Sequence, residues 1–240
     1  MKKRVLKIKR GSPGRRGAGR YFLVTFHPLC STPNGRRAAE TYALPPFTDG
    51  SCRREPDLES RYPSISAPCR AGKFAPKLRQ KDKVFYMSVC GTYGGVKGWA
   101  LVAALEVKKV FPSHEKAARW NSERGLPLPS NCMVSKNPCL PLEKTTGLPA
   151  AGAGMQQAWN QEGVPPATLC AWNAHYQARA DKYPHFIATV PITLRLNDPP
   201  IVPRELLSTA FLAGNVPGTQ SFKELTEGEF ASLLQLQNGS

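Results

Sequence analysis

Two apolar runs separated by a glycine-rich turn, VFYMSV at Val84–Val89 and WALVAALEV at Trp99–Val107, limit most strongly what this chain can fold into. Both are rich in β-branched and aromatic residues, which suit a pleated surface. Side chains alternate along a strand, so the first run sets Phe85, Met87 and Val89 on one face and Val84, Tyr86 and Ser88 on the other. The first set is expected to be core and the second to look into a cleft. In the second run Trp99, Leu101, Ala103, Leu105 and Val107 share one side, with Ala100, Val102 and Ala104 opposite. Both sides are apolar, which predicts a central strand covered on both faces. With Gly91, Gly94, Gly95 and Gly98 punctuating the turn around Tyr93, the runs read as a β-hairpin with a long loop. Ser113 then suits an N-cap for a short helix over His114–Glu123, ended by Gly125, with Ala117 and Trp120 facing the sheet.

The rest of the chain supplies further elements. Tyr21–Phe26 (YFLVTF) predicts the strand that opens the folded part. Residues 28–72 and 126–154 carry much Pro, Ser and Gly with little periodicity and read as long irregular stretches. Residues 166–182, with Trp172, Tyr176, Arg179 and Ala180, predict an amphipathic helix. Phe186–Leu196 predicts a late strand whose Pro191 marks an edge or a bulge. The run ELLSTAFLAG reads as helical. Thr226 and Glu229 form a capping box ahead of a C-terminal helix carrying Phe230, Leu233 and Leu234. No repeat or linker divides the chain. The expected organisation is a flexible basic arm at 1–20 and a single domain at 21–240, with insertions at about 28–72 and 136–182.

Charge is the second constraint. The 240 residues hold 33 Lys/Arg against 17 Asp/Glu, a formal net charge of +16. Such a balance points to a polyanionic partner. Residues 1–20 contain nine Lys/Arg and no acid, and the other 220 still carry +7, so the folded part is basic in its own right. The segment MKKRVLKIKRGSPGRRGAGR lacks the apolar run of a secretory signal or membrane span. It reads either as a solubilising tail or as an arm that tracks phosphates and steepens salt dependence. Lys73, Lys77, Arg79, Lys81 and Lys83 are spaced by two or four, which suits a row of phosphate contacts and equally a solvated surface ribbon.

Seven cysteines (Cys30, Cys52, Cys69, Cys90, Cys132, Cys139, Cys170) include no CxxC pair. Without an export signal they imply a reducing compartment, the cytoplasm. His27 and Cys30 make one short-spaced pair where a zinc site wants two, so neither a metal nor another cofactor is expected. No HExxH, GxSxG or phosphate-loop pattern occurs. The nearest approach to a catalytic arrangement is Cys132, beside Asn131, activated by a spatially adjacent histidine such as His114.

The segment KFAPKLRQKDKVFYMS, followed by GWALVAALEVKKVFPSHEKAARW, resembles the barrel heart of the PUA-like superfamily, which includes the EVE, YTH and ASCH domains. More narrowly, it is similar to the nucleotide-modification-associated domains placed near that group. The resemblance is carried by Arg79 before a strand, Asp82 in the turn, the aromatic strand Val84–Val89, the returning ALEV, and LPSNCMV as a loop facing the pocket. It covers residues 73–135, with support from Tyr21–Pro28 and ITLRLNDPPIVP. Where those families often have Gly-Asp, this chain has Lys81-Asp82. The resemblance implies an α+β fold: a PUA-like partly open β-barrel flanked by short helices, with long irregular loops. It also implies nucleic acid in a basic cleft, often with a flipped, modified base in an aromatic-lined pocket, and readers more than catalysts.

An extruded base needs apolar walls and a polar rim. Tyr86, Tyr93, Trp99 and Trp120 are candidate walls, with Ser88, Asn131 and the amides near Gly94 and Gly95 as rim; Trp99 and Trp120 equally fit the core. The expected function is a non-catalytic nucleic-acid-binding module for DNA or RNA, reading a modified or flipped base and linked to nucleotide modification or defence against foreign DNA. No membrane partner is expected. The alternatives are a nucleotide- or base-modifying enzyme and a basic protein-interaction module.

Overall fold

The computed structural model describes residues 19–147, 169–210 and 215–239. Its strands are β1 (Tyr21–Phe26), β2 (Ser64–Ser66), β3 (Lys83–Ser88), β4 (Gly91–Tyr93), β5 (Val96–Phe111), β6 (Phe186–Leu194), β7 (Ile201–Val202) and β8 (Lys223–Leu225). Its α-helices are α1 (Pro33–Tyr42), α2 (His114–Ser122), α3 (Leu169–Lys182), α4 (Arg204–Ala210) and α5 (Glu227–Asn238). One mixed sheet runs β2-β6-β5-β3-β1-β8, with β4 and β7 pairing separately onto β5. Its β1–β3 pair is parallel, Tyr21 opposite Lys83 and Phe26 opposite Ser88, while the other pairs are antiparallel. The sheet is curled and open, and with its flanking helices and long irregular segments the chain is α+β.

The curl separates two apolar layers. Phe22, Val24, Val84, Tyr86, Ala103, Leu105, Ile187 and Ile65 form an inner cluster with Phe74, Ala75 and Leu78 from the chain before β3. On the other side Leu23, Phe85, Met87 and Leu101 pack against Leu207 of α4 and Phe230 and Leu233 of α5. The strand β3 is therefore covered on both faces. The expectation that Val84, Tyr86 and Ser88 look into a cleft is corrected: all three are buried, and the first two sit in the larger cluster.

Strict alternation along β5 also breaks. Tyr86 pairs with Ala103 but Met87 with Leu101, so Val102 is an extra residue in β5. Such a bulge reverses the parity beyond it. Val102 and Ala103 consequently share the inner cluster, and Ala104 joins Leu101 outside. A second irregularity pairs Ala104 with Thr193 and Leu105 with Pro191, leaving Ile192 over, which places Pro191 at a bulge as its lack of an N–H predicts.

The cap signals translate into structure. Ser113 Oγ accepts from Lys116 N ahead of α2, and Thr226 and Glu229 form the full capping box of α5. Trp172, Tyr176 and Ala180 are the buried residues of α3, while residues 166–168 of the expected helix lie outside the described residues. The stretch 28–72 departs from its irregular reading. It contains α1, capped by Thr32 Oγ1 accepting from Gly35 N with Pro33 at the first position, and it contains β2. No helix among the described residues is long and apolar enough to cross a membrane.

At the entry to the sheet, Asp82 is 2% exposed and its carboxylate accepts from Arg20 N (2.9 Å), Arg20 Nη2 (2.6 Å) and Arg79 N (2.9 Å). Asp82→Ala strands two main-chain donors and a guanidinium, which costs about 1–3 kcal/mol. A drop of that size in urea unfolding is expected, with Asp82→Asn losing less because one acceptor oxygen remains. A midpoint unchanged in Asp82→Ala would contradict the clamp.

Candidate nucleic-acid interface

The turn that Asp82 closes carries the predicted cations to one end of the sheet. Lys73, Lys77, Arg79 and Lys81 are exposed and Lys83 is half-buried. Lys77 Nζ lies 4.7 Å from the Phe222 ring centroid and Lys83 Nζ 5.0 Å from that of Tyr21, cation–π seatings that position the charges without removing them. Lys81 N donates to Val107 O at 2.9 Å, so the turn abuts Lys108 and Lys109 on β5. Lys108 stands over the Tyr62 ring at 5.2 Å, and Lys109 and Arg124 over Trp120 at 5.8 and 4.4 Å. The cations thus continue as a strip from Lys77 through Arg79, Lys81, Lys108 and Lys109 to Arg124. The last three were not singled out from sequence, although the Lys-Lys pair directly after ALEV is a visible signal.

Two backbone details mark this turn. Lys81 has φ +73°, the left-handed region that glycine adopts freely and other residues enter at a cost of roughly 1–2 kcal/mol. It occupies the place where the resembled families often have glycine. Gly19 runs so close that a Cβ there would sit 1.7 Å from the Lys81 carbonyl oxygen, so the chain at Gly19 passes against this turn. The side chain of Arg20 is engaged by Asp82, and its charge is matched there.

The five base-pocket candidates do not converge as expected. Tyr86 is buried in the inner cluster, edge-on to Phe26 at 6.1 Å. Tyr93 lies in the same cluster against Phe47, its hydroxyl donating to Val89 O at 2.8 Å. Ser88 is buried beside it, donating to Val89 O and accepting from Ala100 N at 2.8 Å. Trp99 is half-buried and packs on the outer cluster. Asn131 belongs to another neighbourhood, where its Oδ1 accepts from Ser64 Oγ (2.7 Å) and its Nδ2 donates to Ser64 O (3.1 Å) and Glu55 Oε2 (3.4 Å). Trp120 is in the core, flanked by Tyr62 and Phe111.

That Asn131 neighbourhood is a polar layer unforeseen in the sequence. Ser51 through Leu58 are all buried, and within them Glu55 accepts from Ser66 N at 2.8 Å and from Ser66 Oγ. Burial pushes its carboxyl up to about 8 against those hydrogen bonds. Asp57 accepts from Ser130 N and Oγ at 2.7 and 2.8 Å. Arg53 donates to Asn173 Oδ1, Ser130 O and Asn137 O at 2.8–3.1 Å.

Cys132 and His114 do come together, yet their chemistry is not that of a nucleophile and its base. The thiol meets the His114 carbonyl oxygen at 3.5 Å, and burial pushes it up to about 12. The His114 ring accepts from Met133 N through Nδ1 at 3.1 Å, and burial lowers it to about 4, which keeps it neutral. A thiolate is what reacts, and this environment opposes one.

No family model and no curated protein matches the chain. Solved structures similar to it include ASCH from Zymomonas mobilis and two point mutants of that protein, at TM-scores of 0.39–0.40 and 8% identity. The alignments cover 91% of this chain and 96–99% of those. A likeness that distant carries no conclusion about what this chain binds.

Two measurements check the buried groups. Glu55 holds a proton more tightly folded (about 8) than in its ordinary state at 4.5, so its contribution is full at low pH and is lost as pH rises through that window, by up to ~1.4 kcal/mol per pH unit. Glu55→Gln is expected to flatten the decline in stability between those pH values, and a variant profile parallel to the wild type would refute the assignment. Iodoacetamide at neutral pH is expected to label the exposed Cys90 and Cys170 while sparing Cys132 until the chain unfolds; rapid labelling of Cys132 in the native protein would reopen the nucleophile.

Proposed function

We propose that this chain is a non-catalytic nucleic-acid-binding module whose contact surface is the basic strip running from Lys77 to Arg124, extended by the basic arm before Gly19. The observation that carries this reading is the Asp82 turn, which Arg20 and Asp82 clamp from Lys77 to Lys83 and along which Lys77, Arg79 and Lys81 are all exposed. Phosphates are anions at regular spacing, and a row of exposed cations on rigid backbone is what positions a protein along them. The strained Lys81 supports the same reading, because backbone held in a costly conformation commonly accompanies function.

Recognition of a modified or flipped base is the finer part of the proposal, together with a link to nucleotide modification or defence in the cytoplasm. Among the aromatic candidates it rests on the half-buried Trp99, since Tyr86 and Tyr93 offer a base no free face.

Binding is expected to weaken with salt by about 0.9 in log K per log salt for each phosphate met on duplex, and about 0.7 on a single strand. Replacing Lys77, Arg79 and Lys81 together with alanine is expected to lower that slope by two to three. Lys81→Gly alone separates function from fold: stability stays level or rises as the left-handed strain is relieved, while the slope falls by about one. Unaltered slopes in both variants would leave the strip as solvated surface and favour a protein-docking role.

A further inference from the structure

On the outer side of the sheet, away from the enclosed core, the start of β5 and the start of α4 border a cleft of about 530 Å³. It is lined by Cys90, Lys97, Gly98, Trp99, Arg204 and Glu205. That volume is within the range that holds a small ligand, about 300–1,000 Å³. Trp99 packs against the outer cluster and also lines the cleft. Its position is fixed from both flanks: Gly98 pairs with Gly91 of β4, and Trp99 pairs with Val202 of β7. A Cβ on Gly98 would come within 2.4 Å of the Val202 carbonyl oxygen, so glycine permits this close approach.

The chemistry of the lining is an aromatic surface beside two cations and one carboxylate. Lys97 and Arg204 are exposed and form no ion pair among the described residues. Glu205 offsets one of them, which leaves a single net positive charge. An indole with one net positive charge suits one nucleotide unit: every base has a π-face that stacks on an aromatic ring, and each unit brings one phosphate charge.

We propose that this cleft takes one unstacked nucleotide of a single-stranded nucleic acid, with the base on Trp99 and its phosphate between Lys97 and Arg204. The inference rests on the nucleic-acid-binding reading above and deepens its base-recognition part at Trp99, at a place apart from the strip. Lys83, at the strip, pairs with Glu106, seven residues along β5 from Trp99, or roughly 23 Å at about 3.3 Å per residue.

The test uses the full chain with a fluorescein-labelled oligo(dT) of about 16 nucleotides and, separately, thymidine 5′-monophosphate. Trp99→Ala is expected to weaken oligo(dT) roughly 5- to 150-fold without altering the salt slope, and Trp99→Phe to keep most of the affinity. Arg204→Ala is expected to lower the slope by about 0.7, and the mononucleotide to bind far more weakly than the oligonucleotide. Wild-type affinity in a folded Trp99→Ala protein overturns the inference, as does an unchanged slope in Arg204→Ala. Mononucleotide binding as tight as oligo(dT) also overturns it, because the site would then serve free nucleotides. If Trp99→Ala does not fold, the exposed Arg204 decides alone. Loss of binding in the strip variants with none in the cleft variants sinks this inference and leaves the basic strip standing as the binding surface, whereas no binding of any oligonucleotide sinks both.

Discussion

The Asp82 carboxylate organises the end of the sheet on which everything else is hung. Removing a carboxylate from water costs several kcal/mol unless its lone pairs are filled, and here they are filled by the main chain and guanidinium of Arg20 and by the amide of Arg79. The same residue meets Val107 N through its carbonyl at 2.8 Å, and Lys83 N donates to Arg20 O at 2.7 Å. Asp82, through its side chain toward Arg20 and its main-chain carbonyl toward Val107, therefore ties β1, β3 and β5 together. The tie has particular value because β1 and β3 are parallel, and parallel neighbours have no tight turn between them to set their register.

The long connection from β1 to β3 uses a different device. Between α1 and β2 it is irregular, yet that part is largely buried, so its polar groups must find partners inside. Arg53, Arg54 and Asp57 supply them. Arg54 donates to Asp49 O and Lys144 O and pairs with Glu59 at 3.3 Å. The contacts of Arg53 with Ser130, Asn137 and Asn173, of Arg54 with Lys144 and of Asp57 with Ser130 join residues distant in sequence, so the loop, the stretch 128–147 and α3 order one another. Replacing an apolar layer with paired charges is costly in free energy, but it confers directionality that apolar packing lacks.

These two devices explain what could be read from the sequence. Local signals survived: the aromatic and β-branched run Tyr21–Phe26, the Ser113 cap, the Thr226–Glu229 box and the awkward Pro191 all depend on neighbours a few residues away. The α1 helix was legible in principle from Thr32 and Pro33, but the Pro, Ser and Gly around it masked its period. Alternation shows which residues share a strand face. It does not show which face the sheet will curl around, and Tyr86 was misplaced for that reason. The Val102 bulge is likewise a relation between two strands and leaves no mark on either run alone. The cations of the strip were found because Lys and Arg at the surface need no partner, whereas the buried Arg53 and Arg54 look the same in sequence and have the opposite fate.

The basic strip differs from a scatter of surface lysines in how its charges are held. An exposed lysine gives up rotamer freedom when it meets a phosphate, and that entropy offsets part of the contact. Lys77, Lys83, Lys108 and Lys109 already rest on the rings of Phe222, Tyr21, Tyr62 and Trp120 at 4.7–5.8 Å, so part of that ordering has occurred on folding. The rings are anchored in the same clusters that build the sheet, as with Trp120 against Phe111 at 5.5 Å. Of the aromatic residues that the sequence offers as walls for a base, Trp120 works one layer down as a seat for Lys109 and Arg124, while Tyr86 and Tyr93 fill the inner cluster. Trp99 differs from all three: it sits at the opposite end of β5, half-buried beside Lys97 and Arg204.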